Sequence, residues 1–377
     1  MKVQAALCLR DGAPLEIRDV ELAPPGPGEV LVRWGASGIC ASDKFVVTHA
    51  GWPKPYIPGH EGAGIVEVLG DGVDTLAAGD HVVSDLLGAC GHCRQCRTGR
   101  PRLCEPQRRR AVPDIDSRFS LDGTRVGRFG HHEIATFVEA CVVPEASLTK
   151  IPDNVPFEAA CLLGCCALSG AAAVLTRAKV APGSRVAVFG CGGLGLAGIN
   201  AAQLCGARQI IAIDVVPRKL DWAREFGATD TIDASQGDPV EAVSAATGGA
   251  MADFAFDFSG SAVAMNQTVG VVRNGGMVVL EGAGPPGTQL VVDQAELIDN
   301  EKVITGAHAG GGIPALDIPL LIDRFRAGTF KLDALVSHRL SLEEVNDGFD
   351  LMTRGEARRS VIVFATLQFG SVIVFEA

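Results

Sequence analysis

Over about the first 85 residues, short apolar runs such as Glu29–Trp34 and Gly64–Leu69 lie between the turn signals PPGPG and LGDGV. Runs of this length bounded by Gly and Pro predict β-strands, here in a compact, mostly antiparallel unit. From about residue 167 the pattern changes to alternating strands and helices. Arg185–Phe189, Gln209–Asp214, Phe254–Phe258, Met277–Glu281 and Val303–Gly306 read as strands. Leu194–Cys205 and Arg218–Phe226 between them have helical length and composition. Such alternation predicts a doubly wound parallel sheet. After about residue 309, Asp317–Ala327 reads as a helix and Ser360–Phe364 as a final strand. Residues 105–132, which include Arg108, Arg109 and Arg110, have no clear period and read as a long surface loop with a solvated basic triplet. The SVIVF of the final strand recurs at Ser371–Phe375, and neither the repeat nor the ATLQFG between carries a function.

The chain has 377 residues, enough for about two domains. At 47% hydrophobic and 20% charged residues it is a folded globular protein rather than a disordered one. The net charge of −11 argues against nucleic acid or an anionic membrane as the main partner. The first ten residues carry only a short apolar run and do not read as a signal peptide. No window approaches the roughly 18 apolar residues of a membrane span. The cysteine spacing is that of a metal site rather than of a disulfide framework, which suits a reducing cytoplasm.

Cys90, Cys93, Cys96 and Cys104 follow the pattern Cys-x2-Cys-x2-Cys-x7-Cys. Four thiolates in one loop suit a tetrahedral Zn²⁺, and a site so filled leaves no position for substrate, so this zinc is structural. Nearby Arg94, Arg97, Arg100 and Arg102 offset its charge. A second group is Cys40 and, twenty residues on, His60 with Glu61, both in Gly-flanked turns. An open catalytic zinc site needs a third protein ligand. Cys161, Cys165 and Cys166 are the candidates, and spacing does not choose among them. The third motif is Gly190-x-Gly192-x-x-Gly195, directly after strand Arg185–Phe189 and opening a helix, with Gly193 and Leu194 inside the turn. In a chain with 46 glycines the motif alone is weak. The strand–turn–helix setting and Asp214 at the end of the next strand make it a dinucleotide fingerprint. Asp214 is placed to accept from the ribose hydroxyls and to repel a 2′-phosphate, which favours NAD over NADP, although Arg218 and Lys219 stand close by.

In this order the segments GICASD, PGHEGAG, GDHVV, the Cys quartet, LLGCCALSG, FGCGGLG, AID and RRSVIVF resemble the zinc-dependent medium-chain alcohol dehydrogenase family over roughly residues 1–364. The stretch after Cys104 is similar to the longer-loop branch, which holds class I- and class III-like enzymes and bacterial aryl-alcohol dehydrogenases. The resemblance implies an α/β protein with a Rossmann-type domain over residues 167–308. Residues 1–166 and 309–377 would then form a mostly β GroES-like catalytic domain carrying the structural zinc loop.

The resemblance also implies Cys40, His60 and Cys165 as catalytic zinc ligands, Glu61 behind the metal, and Asp43 holding the His60 ring. Ser42 would bind the substrate hydroxyl and begin the proton path. Arg359 would reach the cofactor pyrophosphate, Lys219 the adenosine ribose and Ser169 the nicotinamide ribose. Two zinc ions per subunit, NAD, a cytoplasmic homodimer or, as the alternative, a tetramer, with Val303–Gly306 as a candidate edge, and a small-molecule alcohol substrate follow from it.

Two departures stand out. Phe45 occupies the place where some members carry a relay histidine, so the proton leaves by another route; His49 is near in sequence. Ala41 replaces a phosphate-binding arginine, which shifts pyrophosphate binding toward the Gly-rich turn and Arg359. By family analogy Leu86 and Leu87 line the substrate pocket, and with Trp52 and Phe45 they suit apolar, aromatic or terpenoid alcohols. The rival readings are a thiol-adduct formaldehyde dehydrogenase, a catalytically silent nucleotide-binding protein, and a zinc-ribbon nucleic-acid module.

Overall fold

A computed structural model describes residues 1–49, 53–85, 88–105, 118–128 and 134–364. Trp52, Leu86, Leu87, Arg108–Arg110 and the tail from residue 365 lie outside the described residues. The chain divides into two compact units, one of residues 1–165, 313–319 and 336–377, the other of residues 166–312 and 320–335. A boundary at 309 would leave all of the C-terminal segment with the first unit. Residues 320–335 instead belong to the second, where Asn200 Oδ1 accepts from the Lys331 N–H at 2.7 Å and Asn200 Nδ2 donates to the Thr329 carbonyl at 3.3 Å.

The first unit is built on two mostly antiparallel sheets. In the larger, the spatial order is Leu148–Ile151, His81–Ser84, Glu61–Leu69, Glu29–Gly38, Arg359–Val363, Val336–Leu340, and Ala140–Pro144 also pairs with Glu29–Gly38. The smaller runs Lys2–Leu7, Glu16–Leu22, Phe119–Leu121, Thr124–Arg128, Tyr56–Ile57. Within Glu16–Leu22, Asp19 and Glu21 are exposed while Val20 and Leu22 are buried, as expected of a strand with one wet face. The core between the sheets gathers Leu7, Val30, Trp34, Ile57, Phe119, Phe137 and Ile362. Within the span read as a surface loop, Phe119–Leu121 and Thr124–Arg128 form a hairpin. Its turn is Asp122-Gly123, both left-handed at φ 49° and 77°, a strong short-range hairpin signal that the brevity of the flanking strands hides.

The second unit holds a six-stranded parallel sheet in the order Asp230–Asp233, Gln209–Asp214, Arg185–Phe189, Ala252–Asp257, Val272–Leu280, Val303–Gly306. In chain order this is 3-2-1-4-5-6, the doubly wound arrangement. Arg185–Phe189 is buried along almost its whole length, which explains its unbroken apolar text. Helix Pro217–Phe226 opens with Pro at its first position and stops at Gly227, left-handed at φ 114°. Val303–Gly306 is an edge strand, as its sequence position suggests. Among the described residues, no single helix is long and apolar enough to cross a membrane.

Candidate active site, metal sites and cofactor turn

Three strand ends of the first unit meet at Gly38. It lies opposite Glu61 on one side and Val361 on the other, and the Ile39 N–H donates to the Ser360 carbonyl at 3.0 Å. This register brings Cys40, His60, Glu61 and Arg359 together although they are up to 319 positions apart in sequence. A β-carbon on Gly38 would lie 2.1 Å from Glu61 Oε2, so only glycine leaves room for the carboxylate.

Cys40 caps helix Ala41–Thr48, and its N–H donates to Asp43 Oδ2 at 2.9 Å. Asp43, fully buried, also accepts from the Gly59 N–H at 3.1 Å and from His60 Nδ1 at 2.9 Å, both on Oδ1. Because a carboxylate can only accept, His60 carries its proton on Nδ1 and turns the Nε2 lone pair toward Cys40. Ser84 Oγ fastens the same turn from behind, donating to the His60 carbonyl and accepting from the Gly62 N–H, both at 2.7 Å. Nothing in the sequence singles out Ser84.

The ligand atoms of Cys40, His60, Glu61 and Cys165 all lie within 4.8 Å of one another. Of the three candidate cysteines only Cys165 joins this group; Cys161 is buried and its thiol donates to the Glu158 carbonyl at 3.3 Å, and Cys166 is buried at the start of the next helix. Ser42 Oγ lies 3.2 Å from Cys40 Sγ and 3.5 Å from His60 Nε2. Arg359 donates to Glu61 Oε1, while Glu61 Oε2 is buried with no hydrogen-bond partner among the described residues. A hydrogen bond from Cys165, joined by His60 and Arg359 against the opposing effect of burial, holds the Cys40 thiol well below its ordinary range. Burial pushes Glu61 up to about 7, with Arg359 pulling the other way. Two thiols and one imidazole with its far nitrogen committed form a three-ligand set that fits Zn²⁺ with a fourth position left for substrate, and the Glu61 carboxylate stands beside it.

The sulfur atoms of Cys90, Cys93, Cys96 and Cys104 also lie within 4.8 Å of one another. The Cys90 N–H points at Cys104 Sγ and the Cys93 N–H at Cys90 Sγ, each at 3.4 Å, and the Cys93 and Cys96 sulfurs are 3.5 Å apart. Backbone N–H groups directed at sulfur stabilise thiolate, and four such ligands fit a closed zinc site. Arg94, Arg97 and Arg100 are exposed around it.

In the second unit the Gly-rich turn follows strand Arg185–Phe189. Gly190 is left-handed at φ 89°, and a β-carbon on Gly195 would lie 1.8 Å from the Gly190 carbonyl oxygen. At Gly192 a β-carbon would meet nothing within 4 Å, so the backbone there is open to a ligand at the N-terminus of helix Gly193–Leu204. Asp214 is buried and holds the turn: Oδ2 accepts from the Cys191 N–H at 2.7 Å and Oδ1 from the Val216 N–H at 3.0 Å. Each oxygen keeps a further lone pair for a ribose hydroxyl. Lys219 is half-buried beside this turn, and Ser169 is buried on helix Cys166–Ala172. An open glycine turn, a helix N-terminus and an acidic strand end together fit a dinucleotide.

Residues 26–153 match the alcohol dehydrogenase GroES-like domain, and residues 193–326 match the zinc-binding dehydrogenase family. The chain is 37% identical to an "Alcohol dehydrogenase class-3" of Cereibacter sphaeroides, over 97% of this chain and 100% of that protein. It is also 37% identical to an "S-(hydroxymethyl)glutathione dehydrogenase" of Escherichia coli, over 96% of this chain and 100% of that protein. Among solved structures, a zinc-binding-domain alcohol dehydrogenase from Burkholderia ambifaria superposes with a TM-score of 0.91 at 33% identity, covering 97% of this chain and 100% of that one. The benzyl alcohol dehydrogenase of Acinetobacter calcoaceticus does so at 0.89 and 32%, with the same coverage. With its GroES-like and Rossmann-type units and two cysteine-rich ligand clusters, the chain belongs to the zinc-dependent alcohol dehydrogenases of the medium-chain dehydrogenase/reductase superfamily.

Proposed function

We propose that this enzyme oxidises an alcohol to an aldehyde or ketone with NAD, at a zinc ion held by Cys40, His60 and Cys165. The convergence of those three ligands with Glu61, and with Asp43 behind His60, carries this reading. When bound, zinc supplies Lewis acidity at the substrate oxygen and the nicotinamide accepts the hydride. Asp43 fixes the His60 ring so that Nε2 is the ligand. Ser42, beside Cys40 and His60, holds the substrate hydroxyl and takes up its proton. Phe45 cannot pass that proton on. His49 stacks on the Phe45 ring with centroids 4.1 Å apart, and its Nδ1 lies 2.9 Å from the Phe45 carbonyl and 3.0 Å from Thr48 Oγ1. With an apolar ring at that place on the helix we route the proton from Ser42 directly to solvent. Glu61, charge-paired with Arg359, offers a carboxylate for ligand exchange. Four thiolates from Cys90, Cys93, Cys96 and Cys104 hold a second, structural zinc.

For the cofactor, Gly190, Gly192, Gly193, Leu194 and Gly195 accommodate the pyrophosphate. Asp214 and Lys219 take the adenosine ribose, and Ser169 the nicotinamide ribose. The negative charge of Asp214 favours NAD over NADP. The first unit is assigned to catalysis and the second, residues 166–312 with 320–335, to the cofactor. Phe45, 38% exposed on the helix that carries Ser42, and the likeness to a benzyl alcohol dehydrogenase support an apolar, aromatic or terpenoid alcohol. Twelve cysteines, none of them in a disulfide among the described residues, support a reducing cytoplasm, and the edge strand Val303–Gly306 supports a homodimer.

The test is NADH formation by zinc-loaded protein across benzylic, allylic, secondary cyclic and short primary alcohols, each repeated with NADP. Turnover with NAD, strongest for benzylic or allylic alcohols, is expected. A second reading rests on the 37% identity to the S-(hydroxymethyl)glutathione dehydrogenase. Silence on the panel with turnover of formaldehyde plus glutathione would replace the first reading by that one.

A further inference from the structure

Glu281 has no part in the readings above, although its surroundings are unusual for an acid. It directly follows strand Val272–Leu280, whose last residue pairs with Asp257 at the tip of the neighbouring strand. One carboxylate oxygen, Oε1, accepts from the Gly310 N–H at 2.6 Å, and the Ser169 side chain also hydrogen-bonds the group. The other oxygen, Oε2, is buried with no hydrogen-bond partner among the described residues. The Gly310 contact lies in a turn of three successive left-handed residues, Ala309, Gly310 and Gly311, at φ 49°, 67° and 76°. A β-carbon on Gly310 would lie 2.2 Å from the Ser169 carbonyl oxygen, so turn, helix and carboxyl are tightly fitted.

In a doubly wound sheet the dinucleotide lies across the C-terminal ends of the strands, one mononucleotide over each half. Asp214 marks the adenosine half. The tips of Ala252–Asp257, Val272–Leu280 and Val303–Gly306 therefore belong to the nicotinamide half, and Glu281 stands at the middle one. The oxidised nicotinamide ring is a cation and the reduced ring is neutral. We propose that Glu281 is the countercharge to the oxidised nicotinamide, a specificity residue that makes this chain favour NAD⁺ over NADH.

The inference rests on the NAD reading. Burial pushes Glu281 up to about 8, opposed only by the hydrogen bonds from Gly310 and Ser169. No charged side chain contributes to that shift. Of the titratable and charged groups on the elements packed around it, Asp253 and Arg273 pair with each other at the opposite strand ends and Cys166 is buried at the start of the Ser169 helix, which leaves Asp257, Arg177 and His308. Asp257 accepts from Ser259, Arg177 donates to Thr305, and His308 precedes the turn. Near neutral pH the free enzyme thus holds Glu281 largely as the acid. When NAD⁺ binds, its O–H bond breaks, the proton goes to solvent, and the carboxylate keeps the electron pair beside the ring cation. Once the ring is reduced, Glu281 regains a proton from solvent.

The experiment titrates zinc-loaded wild type and Glu281→Gln with NAD⁺ and with NADH by calorimetry. Each titration is repeated in two buffers of different ionisation enthalpy, between about pH 6 and pH 9, to count protons. Near neutral pH the wild type should release close to one more proton per NAD⁺ than the variant, and the two should not differ with NADH. At the alkaline end Glu281→Gln should weaken NAD⁺ by about tenfold or more and leave NADH within about twofold. Equal weakening of both cofactors, or equal proton counts, would overturn the proposal and leave Glu281 only a support for the Gly310 turn. Isotope-edited infrared difference spectra of the wild type keep the test open if the variant does not fold. A protonated-carboxyl band must vanish with NAD⁺ and persist with NADH, and its persistence with both would overturn the idea. Wild type that binds neither form would remove the NAD reading and this proposal with it; wild type that binds both, with an unchanged variant, would remove this proposal alone.

Discussion

Asp43→Asn removes one charge and no volume from the most constrained point of the candidate zinc site. The fully buried carboxylate accepts three N–H groups, from Cys40 on one oxygen and from Gly59 and His60 on the other. Asparagine has a single acceptor oxygen. Its better orientation keeps that oxygen on Gly59 and His60 and turns its NH2 group against the Cys40 N–H. A charge-assisted hydrogen bond worth about 1.5–3 kcal/mol is then lost, and a buried donor is left unpaired at about 1–3 kcal/mol. The expected loss for the first unit is on the order of 3 kcal/mol, since relaxation recovers part of the sum. The His60 ring, no longer held by a carboxylate, should bind zinc about 10–100-fold more weakly. Competition with a chromophoric chelator measures this, and the zinc of the Cys quartet serves as an internal standard because it shares none of these bonds. Unchanged release from the Cys40–His60–Cys165 site would refute the reasoning. Equal weakening at both sites would also refute it, because the damage would then be general rather than an effect on the His60 ring.

Three further outcomes follow from the geometry. Cys96→Ser should lower the zinc content by one ion per chain in metal analysis, while the remaining zinc is competed away at the wild-type rate. Gly192→Ala and Gly195→Ala should separate binding from folding. The first β-carbon meets nothing within 4 Å, so thermal stability holds while NADH affinity falls. The second lies 1.8 Å from a carbonyl oxygen and should cost about 2 kcal/mol or more in stability, read by urea denaturation. Glu281, raised by burial to about 8, binds a proton in the folded state over a range where the unfolded chain does not. Its contribution to stability is therefore fully present below the unfolded value of about 4.3 and is lost as pH rises to about 8, at up to about 1.4 kcal/mol per unit. Glu281→Gln should flatten that part of the stability–pH curve for the cofactor-free protein; an unaltered slope would show that the carboxyl is not buried as an acid.

Features that depend on neighbours along the chain are legible before the chain folds. Arg185–Phe189 and Gln209–Asp214 are legible as strands because burial on both faces demands unbroken apolar text. The Cys quartet is legible because a single loop of fifteen residues supplies the whole coordination sphere. The Gly-rich turn and Asp214 are legible because the strand–turn–helix unit that needs them is local. Tertiary structure decided the rest. Residue types and spacing leave Cys161, Cys165 and Cys166 equivalent, and family resemblance points to Cys165. Only the folded first unit draws the sulfur of Cys165 in beside Cys40 and His60. The pairing of Glu61 with Arg359, the clamp of Ser84 on the His60 turn, and the place of residues 320–335 with the second unit leave no local trace. Glu281 reads as an ordinary acid after a strand until Gly310 and Ser169 close over it. The physical reason is register: side chains hundreds of positions apart meet only because Gly38 falls opposite Glu61 and Val361, and strand pairing over such separations is a property of the folded sheet rather than of any segment in it.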